Sequence, residues 1–266
     1  MEKKFYNAEN LSSTYKNNLF TLKHEKRIIK VLPFDEYRQI KETLNFLEEH
    51  KELLPPMAYY DEEGTLSDGS IFISRPFYDS PTINTLLKSE DTTIKEKLNI
   101  LKKLGLVLSQ INAFYDELGI CFGDVHGENF LFRENDCFPI DVESISTKIK
   151  RTNSSPFLYL AKDACQIKKY GAINGGKILA SKDTDFFSLI MLCLSVISNS
   201  IEIFHTNIPQ YLSYLKYLDD LGFNKDLIDC FASIYEESPT INPTELIDTI
   251  PLELKEASYS TYIAQK

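Results

Sequence analysis

Phe122-Gly-Asp-Val-His-Gly-Glu-Asn-Phe-Leu-Phe132 brings an acid, an imidazole and an amide into one short stretch. Asp124 and Asn129 stand five apart, and Asp141 follows seventeen residues after Asp124, in Phe138-Pro-Ile-Asp-Val-Glu143. Short apolar runs broken by Gly and Asp put these residues on loops joined by strands. Phosphoryl transfer from ATP needs such a set. One carboxylate orients the acceptor hydroxyl, while an amide and a second carboxylate hold Mg²⁺ on the phosphates. Mg²⁺ takes hard oxygen ligands and keeps several waters, so one Asn and one Asp are sufficient protein ligation. Each piece alone is ordinary: Gly-Asp is a turn and an exposed Asn is a cap. The ordered spacing of all three carries the reading.

On these residues the chain resembles the protein-kinase-like superfamily, in particular its atypical, bacterial-type serine/threonine kinases. Asp124 to Asn129 fits the catalytic-loop pattern D-x-x-x-x-N, and Asp141 stands where the family's metal-binding Asp belongs. Arg27-Ile-Ile-Lys30 occupies the place of the V-A-I-K strand, which implies that Lys30 contacts the α- and β-phosphates. Phe72-Ile-Ser74 and then Arg75-Pro-Phe77 align with the adenine-binding hinge. The resemblance implies the Phe77 N–H as donor and the Arg75 carbonyl as acceptor. Lys182-Asp-Thr-Asp-Phe-Phe-Ser-Leu-Ile-Met191 resembles the start of the family's D-x-W-S-x-G helix. Asp185 would cap that helix and tie the catalytic loop to it. Leu227-Ile-Asp-Cys-Phe231 and Ser238-Pro-Thr-Ile-Asn-Pro-Thr-Glu-Leu246 resemble the last two kinase helices.

The resemblance therefore implies an α+β, two-lobed protein-kinase-like fold. Residues 1–76 would form a small antiparallel β-sheet lobe with one helix, 77–80 a hinge, and 81–266 a larger, mainly helical lobe. ATP and Mg²⁺ would bind between the lobes. Asp124, Lys30 and Asn129 would be catalytic, and Asn129 and Asp141 would hold the metal. Lys30, Glu36, Ser12, Ser13, Arg75 and Phe77 would contact the nucleotide. The partner would be a protein offering a serine or threonine hydroxyl, with a small-molecule hydroxyl as the alternative acceptor.

Several positions depart from the family pattern. Ala8, Asn10 and Ser13 stand where the glycine-rich loop has its glycines, leaving Ser12, Ser13 and Thr14 to offer hydroxyls and N–H groups to phosphate. Glu36 and Glu42 compete as the helix partner of Lys30. Glu36 lies about 40° from Ile40 on the apolar face, since four residues advance roughly 400°, whereas Glu42 falls opposite. Phe122-Gly123 replaces the usual His-Arg, so no arginine precedes Asp124 to organise a phosphate on the Ser144–Ser155 segment. The late arginine's place holds Asn242, and Tyr170-Gly-Ala-Ile lacks the glutamate it would pair with. His126 replaces a lysine, giving the D-x-H-x-x-N form of aminoglycoside and choline phosphotransferases. A small-molecule phosphotransferase is therefore the alternative reading, with Glu143 supplying an acidic acceptor cleft. A non-catalytic kinase-fold binding module is favoured only by the missing glycines.

The elements that must position these residues can be read from periodicity. Strands are expected over Phe5–Lys16, Leu19–Lys23, Arg27–Leu32, Met57–Tyr60 and Ile71–Ser74, with Asp61-Glu-Glu-Gly as an acidic turn. Pro33 opens a helix whose apolar positions Tyr37, Ile40, Leu44 and Leu47 share one face. From Pro81 the spacing turns helical, over Ile94–Leu118, Phe186–Ser198, Gln210–Leu221 and Leu227–Tyr235, with Thr147–Lys182 a long polar loop.

With 266 residues, 43% hydrophobic and 26% charged, the chain can bury a sizeable core, which excludes disordered and fibrous classes. A net charge of −10 argues against nucleic acid as a partner. The longest apolar stretch, Phe186–Ile197, has twelve residues including two serines, short of the about 20 a bilayer span needs, so no membrane partner is expected. Five scattered cysteines with no CxxC pair read as buried thiols of a reducing compartment. Met1-Glu-Lys-Lys-Phe-Tyr-Asn carries no signal-peptide pattern. The expected location is cytoplasmic, or outside by a route that leaves no readable signal.

Overall fold

A computed structural model of the chain describes residues 1–13, 18–22, 25–152, 173–174 and 177–198, with 215–216, 219–220, 225 and 228–229. Two compact units emerge: Met1–Ser80 with Phe138–Glu143, and Pro81–Cys137 with Ser144–Lys266. The architecture is α+β.

The first unit is built on a six-stranded sheet of β1 (Glu2–Tyr6), β2 (Leu11–Ser13), β3 (Leu19–Leu22), β4 (Arg27–Leu32), β5 (Glu62–Leu66) and β6 (Ile71–Pro76), in the order β1-β5-β6-β4-β3-β2. The β-branched run of β4 pairs antiparallel with β6 from Arg27↔Pro76 to Leu32↔Ile71. Alternation sends Ile29 to one face, where Leu22, Leu66 and Phe72 complete a buried cluster. Ile28, Lys30 and Leu32 take the other face. Helix α1 (Phe34–Glu49) lies on that face, where Tyr37 and Lys41 hydrogen-bond Glu63, which sits opposite Ile73, itself opposite Lys30. Pro33 occupies the cap position just before the helix rather than its first turn.

The sheet corrects the antiparallel expectation in one respect. β1 pairs parallel with β5, so the sheet is mixed. The expected strand from Phe5 to Lys16 is broken by a 3-10 turn at Ala8–Asn10, where Asn7 accepts from the Glu9 N–H at 3.1 Å. Met57–Tyr60 is not a strand, and the expected acidic turn is instead β5. Glu62 and Glu63 are buried because each has partners. Glu62 accepts from Tyr6 (2.8 Å) and Ser74 (3.1 Å) and pairs with Arg27 at 2.8 Å, while Glu63 takes Lys41 and Tyr37. The reversal falls at Ser67–Ser70, with Gly69 at φ 86°.

The second unit contains α2 (Ile83–Lys88), α3 (Ile94–Asn112), α4 (Tyr115–Leu118), a hairpin of β7 (Phe130–Arg133) and β8 (Asp136–Pro139), the last two residues of which are counted with the first unit, the short pair β9 (Ile173–Asn174) and β10 (Lys177–Ile178), and α5 (Lys182–Ser198). A Thr93/Glu96 capping box starts α3. The expected single helix Ile94–Leu118 divides at Ala113–Phe114, and α4 ends on left-handed Gly119. Glu134 and Asn135, both at positive φ, make the tight two-residue turn between β7 and β8. α3 packs on α5, burying Leu101, Leu104 and Leu108 of one and Leu189, Leu192 and Cys193 of the other. The segments Gln210–Leu221 and Leu227–Tyr235 lie largely outside the described residues, as do Tyr170, Asn242, Cys165, Cys230, His24 and His205.

Candidate functional site

In the second unit the segment 120–130 is fixed from three directions. Cys121 and Ser146 exchange backbone hydrogen bonds at 3.2 and 2.9 Å. The buried rings of Phe122 and Phe130 meet with centroids 4.5 Å apart. The N–H groups of Phe122 and Gly123 each donate to one oxygen of Asp185, both at 2.7 Å. Asp185 ties this loop to α5, but it is not the helix cap. That role belongs to Ser181, whose hydroxyl accepts from the Thr184 N–H (3.2 Å) while the Thr184 hydroxyl accepts from the Ser181 N–H (3.0 Å). Burial pushes the Asp185 carboxyl up to about 7, opposed by the N–H groups of Gly123 and Phe122 and by the Asn112 side chain.

Gly123 sits at φ 83°. A Cβ there would stand 2.9 Å from the Ala180 methyl and 3.1 Å from the Thr152 hydroxyl. The position demands glycine, which accounts for the missing arginine. The hydroxyl of Thr152 donates to the Ser144 carbonyl at 3.1 Å, while residues 153–155 of the Ser144–Ser155 segment lie outside the described residues.

With its backbone held, the loop brings three side chains together. The Asn129 amide, almost wholly buried, donates to the Asp124 carbonyl at 2.9 Å and to Asp124 Oδ2 at 3.0 Å. His126 accepts from the Glu128 N–H on Nδ1 at 3.3 Å, which leaves its Nε2 as the protonated nitrogen, 3.4 Å from Asp124 Oδ2. Asp124 Oδ1 is buried with no hydrogen-bond partner among the described residues. The loop presents a carboxylate with one oxygen held by neighbours and the other buried without a partner among the described residues. Gly127 allows α2 to approach: a Cβ there would stand 2.7 Å from the Asn84 N–H. The Asn84 side chain in turn donates to Glu128.

In the first unit Lys30 faces a different group. Its ammonium forms an ion pair with Glu143 and lies 3.9 Å from Asp141. Tyr60 donates to the same Glu143 oxygen at 2.8 Å, and the segment bearing both acids is fastened by the Ala58 N–H to the Pro139 carbonyl at 2.8 Å. Burial and the neighbouring Asp141 push the Glu143 carboxyl up to about 7, against the pull of Lys30. Burial by itself would lower Lys30, but Glu143 and Asp141 outweigh it and hold the ammonium above its ordinary value. Burial and the neighbouring carboxylate thus raise Glu143, and the two carboxylates together raise Lys30.

The remaining expected residues stand apart from these groups. Glu36 is exposed and beyond ion-pair distance of Lys30, to which it contributes only the weakest of the raising influences. Glu42 is exposed as well. Ser12 is half-buried within β2, opposite Thr21, whose hydroxyl donates to its carbonyl at 3.5 Å. Ser13 ends β2, opposite Phe20, and the side chain of Ser13 and all of Thr14 lie outside the described residues. Ala8 and Asn10 fall in the 3-10 turn before β2, not in the β2–β3 connection at residues 14–18. The Phe77 N–H donates to the Lys26 carbonyl at 2.8 Å. It continues the β4–β6 ladder and is therefore not the free donor an adenine would need. Arg75 is buried on the Lys30 face, with Nη1 donating to the Pro76 carbonyl at 3.3 Å and Nε without a partner among the described residues.

Sequence reasoning misses Tyr60 and gives Glu143 a different role, an acceptor-cleft acid. The signal was available: a glutamate within Ile140-Asp-Val-Glu-Ser-Ile145 must be buried, and a buried carboxylate requires a cation or donors. No group of three or more His, Cys, Asp or Glu able to hold a metal occurs among the described residues. Mg²⁺ carried on nucleotide phosphates needs only one or two protein oxygens. No helix among the described residues is long and apolar enough to cross a membrane. Cys121, Cys137 and Cys193 are free and buried. No protein-family model matches the chain, and no curated protein matches it.

Proposed function

We propose that the chain is an ATP- and Mg²⁺-dependent phosphotransferase of atypical protein-kinase-like type, acting on a serine or threonine hydroxyl of a protein. The observation that carries this reading is the Asp124 carboxylate. One of its oxygens is held by Asn129 and His126, the other is buried and unpartnered, and the backbone beneath it hangs on Asp185. A carboxylate whose orientation is fixed in this way can accept a hydrogen bond from an acceptor hydroxyl and aim it at the γ-phosphate. Lys30 would bear on the α- and β-phosphates. Asn129 and Asp141 would ligate Mg²⁺, whose bound charge neutralises the phosphate oxygens. Their amide and carboxylate oxygens are the hard donors that ion takes.

A second reading, transfer to a small-molecule hydroxyl, is favoured by His126. Its imidazole beside Asp124 replaces the lysine of protein kinases, and Gly123 leaves no cation before Asp124 to receive a phosphorylated segment.

Asp124→Asn decides between catalysis and scaffold. It keeps size and removes charge, so nucleotide affinity should hold while turnover falls about 100-fold or more, the scale of general-base and positioning effects. Incubation with γ-labelled ATP and Mg²⁺, with cell lysate or with a panel of amino alcohols, reads the acceptor class. Label retained in every acceptor by Asp124→Asn would place the chemistry elsewhere.

A further inference from the structure

We infer that Glu143, braced by Tyr60, positions Lys30, so that the lysine is set by the same short turn that carries Asp141 and not by helix α1. Naming phosphate as the partner of Lys30 rests on the phosphotransferase reading; the positioning itself does not.

Three observations converge. Glu143 is buried and its Oε1 takes both the Lys30 ammonium and the Tyr60 hydroxyl, so that oxygen has two donors in fixed directions. Tyr60 is itself buried, and burial together with Glu143 raises its phenol well above the ordinary value, which keeps it a donor. On α1, both candidate glutamates are exposed, and the helix commits its sheet-facing polar groups elsewhere: Lys41 lies 2.7 Å from Glu63, and Tyr37 donates to Glu63 at 2.6 Å.

The consequence concerns regulation. Where a helix glutamate supplies the lysine's ion pair, movement of that helix switches the enzyme. Here Glu143 and Asp141 are two residues apart and Lys30 reaches both. Lysine and metal-ligand placement therefore become one event, and displacing α1 has no direct hold on it. Removing one partner of such a buried pair leaves the other uncompensated, whereas an exposed, unpaired glutamate can be lost freely.

The test uses the full chain without nucleotide and measures labelling of Lys30 by an amine-reactive ester, read by mass spectrometry. The ion pair holds the amine against the buried Glu143 carboxylate and shields it from the reagent. Glu143→Gln should release the amine and raise the labelling rate about tenfold, and Tyr60→Phe should raise it by a smaller factor. Glu36→Ala should change it less than twofold. If Glu143→Gln does not fold, Glu143→Asp, which withdraws the carboxylate by one methylene, serves instead. Unchanged labelling in the Glu143 variant, or an equal rise in Glu36→Ala, overturns the inference. Lys30→Ala, assayed in parallel for Mg·ATP binding with a fluorescent analogue, addresses the other question. Unaltered nucleotide binding and turnover there would remove the phosphotransferase reading while leaving the labelling result intact.

Discussion

Replacing Asp185 should loosen one loop far more than its size suggests. Its carboxylate accepts two consecutive backbone N–H groups, each at 2.7 Å, inside a buried environment. Above about pH 7, where the carboxyl has lost its proton, a hydrogen bond to the charged group contributes about 1.5–3 kcal/mol, and a buried donor left unpaired costs about 1–3 kcal/mol. Asp185→Asn offers one acceptor oxygen and turns an amide NH₂ toward the other donor, so the expected loss is about 2–4 kcal/mol. Against a total stability of about 5–15 kcal/mol that is a large fraction. Urea unfolding gives the magnitude, and hydrogen exchange gives the place: the Phe122 and Gly123 amides should lose protection first. Ser188→Ala is the matched control. Ser188 is buried on the same helix but bonds only the Thr184 carbonyl, at 2.9 Å, and does not touch the loop. If both variants lose equal stability and the exchange of 121–124 is unchanged in Asp185→Asn, the carboxylate is not what holds the loop.

Two further outcomes follow from the same region. In the fold burial lifts the Asp185 carboxyl to about 7, whereas an unfolded Asp titrates near ~3.9, so the native state keeps its proton across the interval. That contribution to stability is complete below about pH 4 and is lost as pH rises through about 7; urea melts from pH 4.5 to 7.5 should show a steeper slope in the parent than in Asp185→Asn, which keeps the share due to Glu143, also raised to about 7. Gly123→Ala should cost about 1–3 kcal/mol in thermal denaturation, because an L residue strains at φ 83° and its Cβ would meet Ala180 at 2.9 Å; equal stability would mean the turn relaxes freely.

Periodicity served the fold where neighbours in sequence decide the outcome. Arg27–Leu32 is a strand because its β-branched Ile28, Ile29 and Val31 put apolar side chains on both faces of the sheet, and α1 shows its face through Ile40, Leu44 and Leu47. It failed at Asp61-Glu-Glu-Gly. Two consecutive glutamates signal a solvated turn unless something pairs with them, and here Arg27, Tyr6, Lys41 and Tyr37 do. Those partners lie 20 to 60 residues away, so the spacing within the segment carries no trace of them. β1 escaped for a related reason: its parallel pairing with β5 requires Gly64, where any Cβ would collide with the Lys4 carbonyl. A lone glycine in an acidic stretch reads as turn punctuation, not as room for a neighbouring strand.

The two groups of candidate residues were legible to different depths, and the cause is contact order within each. Asp124, His126 and Asn129 meet inside one loop, the outer two only five positions apart. Their types and spacing almost determine their geometry once the backbone is held. Lys30 meets Glu143 across 113 residues of chain, and no helical wheel can weigh that contact against Glu36, six residues away. The wheel asks which glutamate points inward. Desolvation asks which glutamate can stay inward. On α1 the exposed Glu36 gains more from water, whereas Glu143, flanked in sequence by Ile140, Val142 and Ile145, has no water to gain and must take the lysine and the phenol. A carboxylate embedded in an apolar run is thus the stronger candidate partner for a distant buried lysine than a nearer one on a solvated helix face, because only the embedded one has no other way to offset its desolvation.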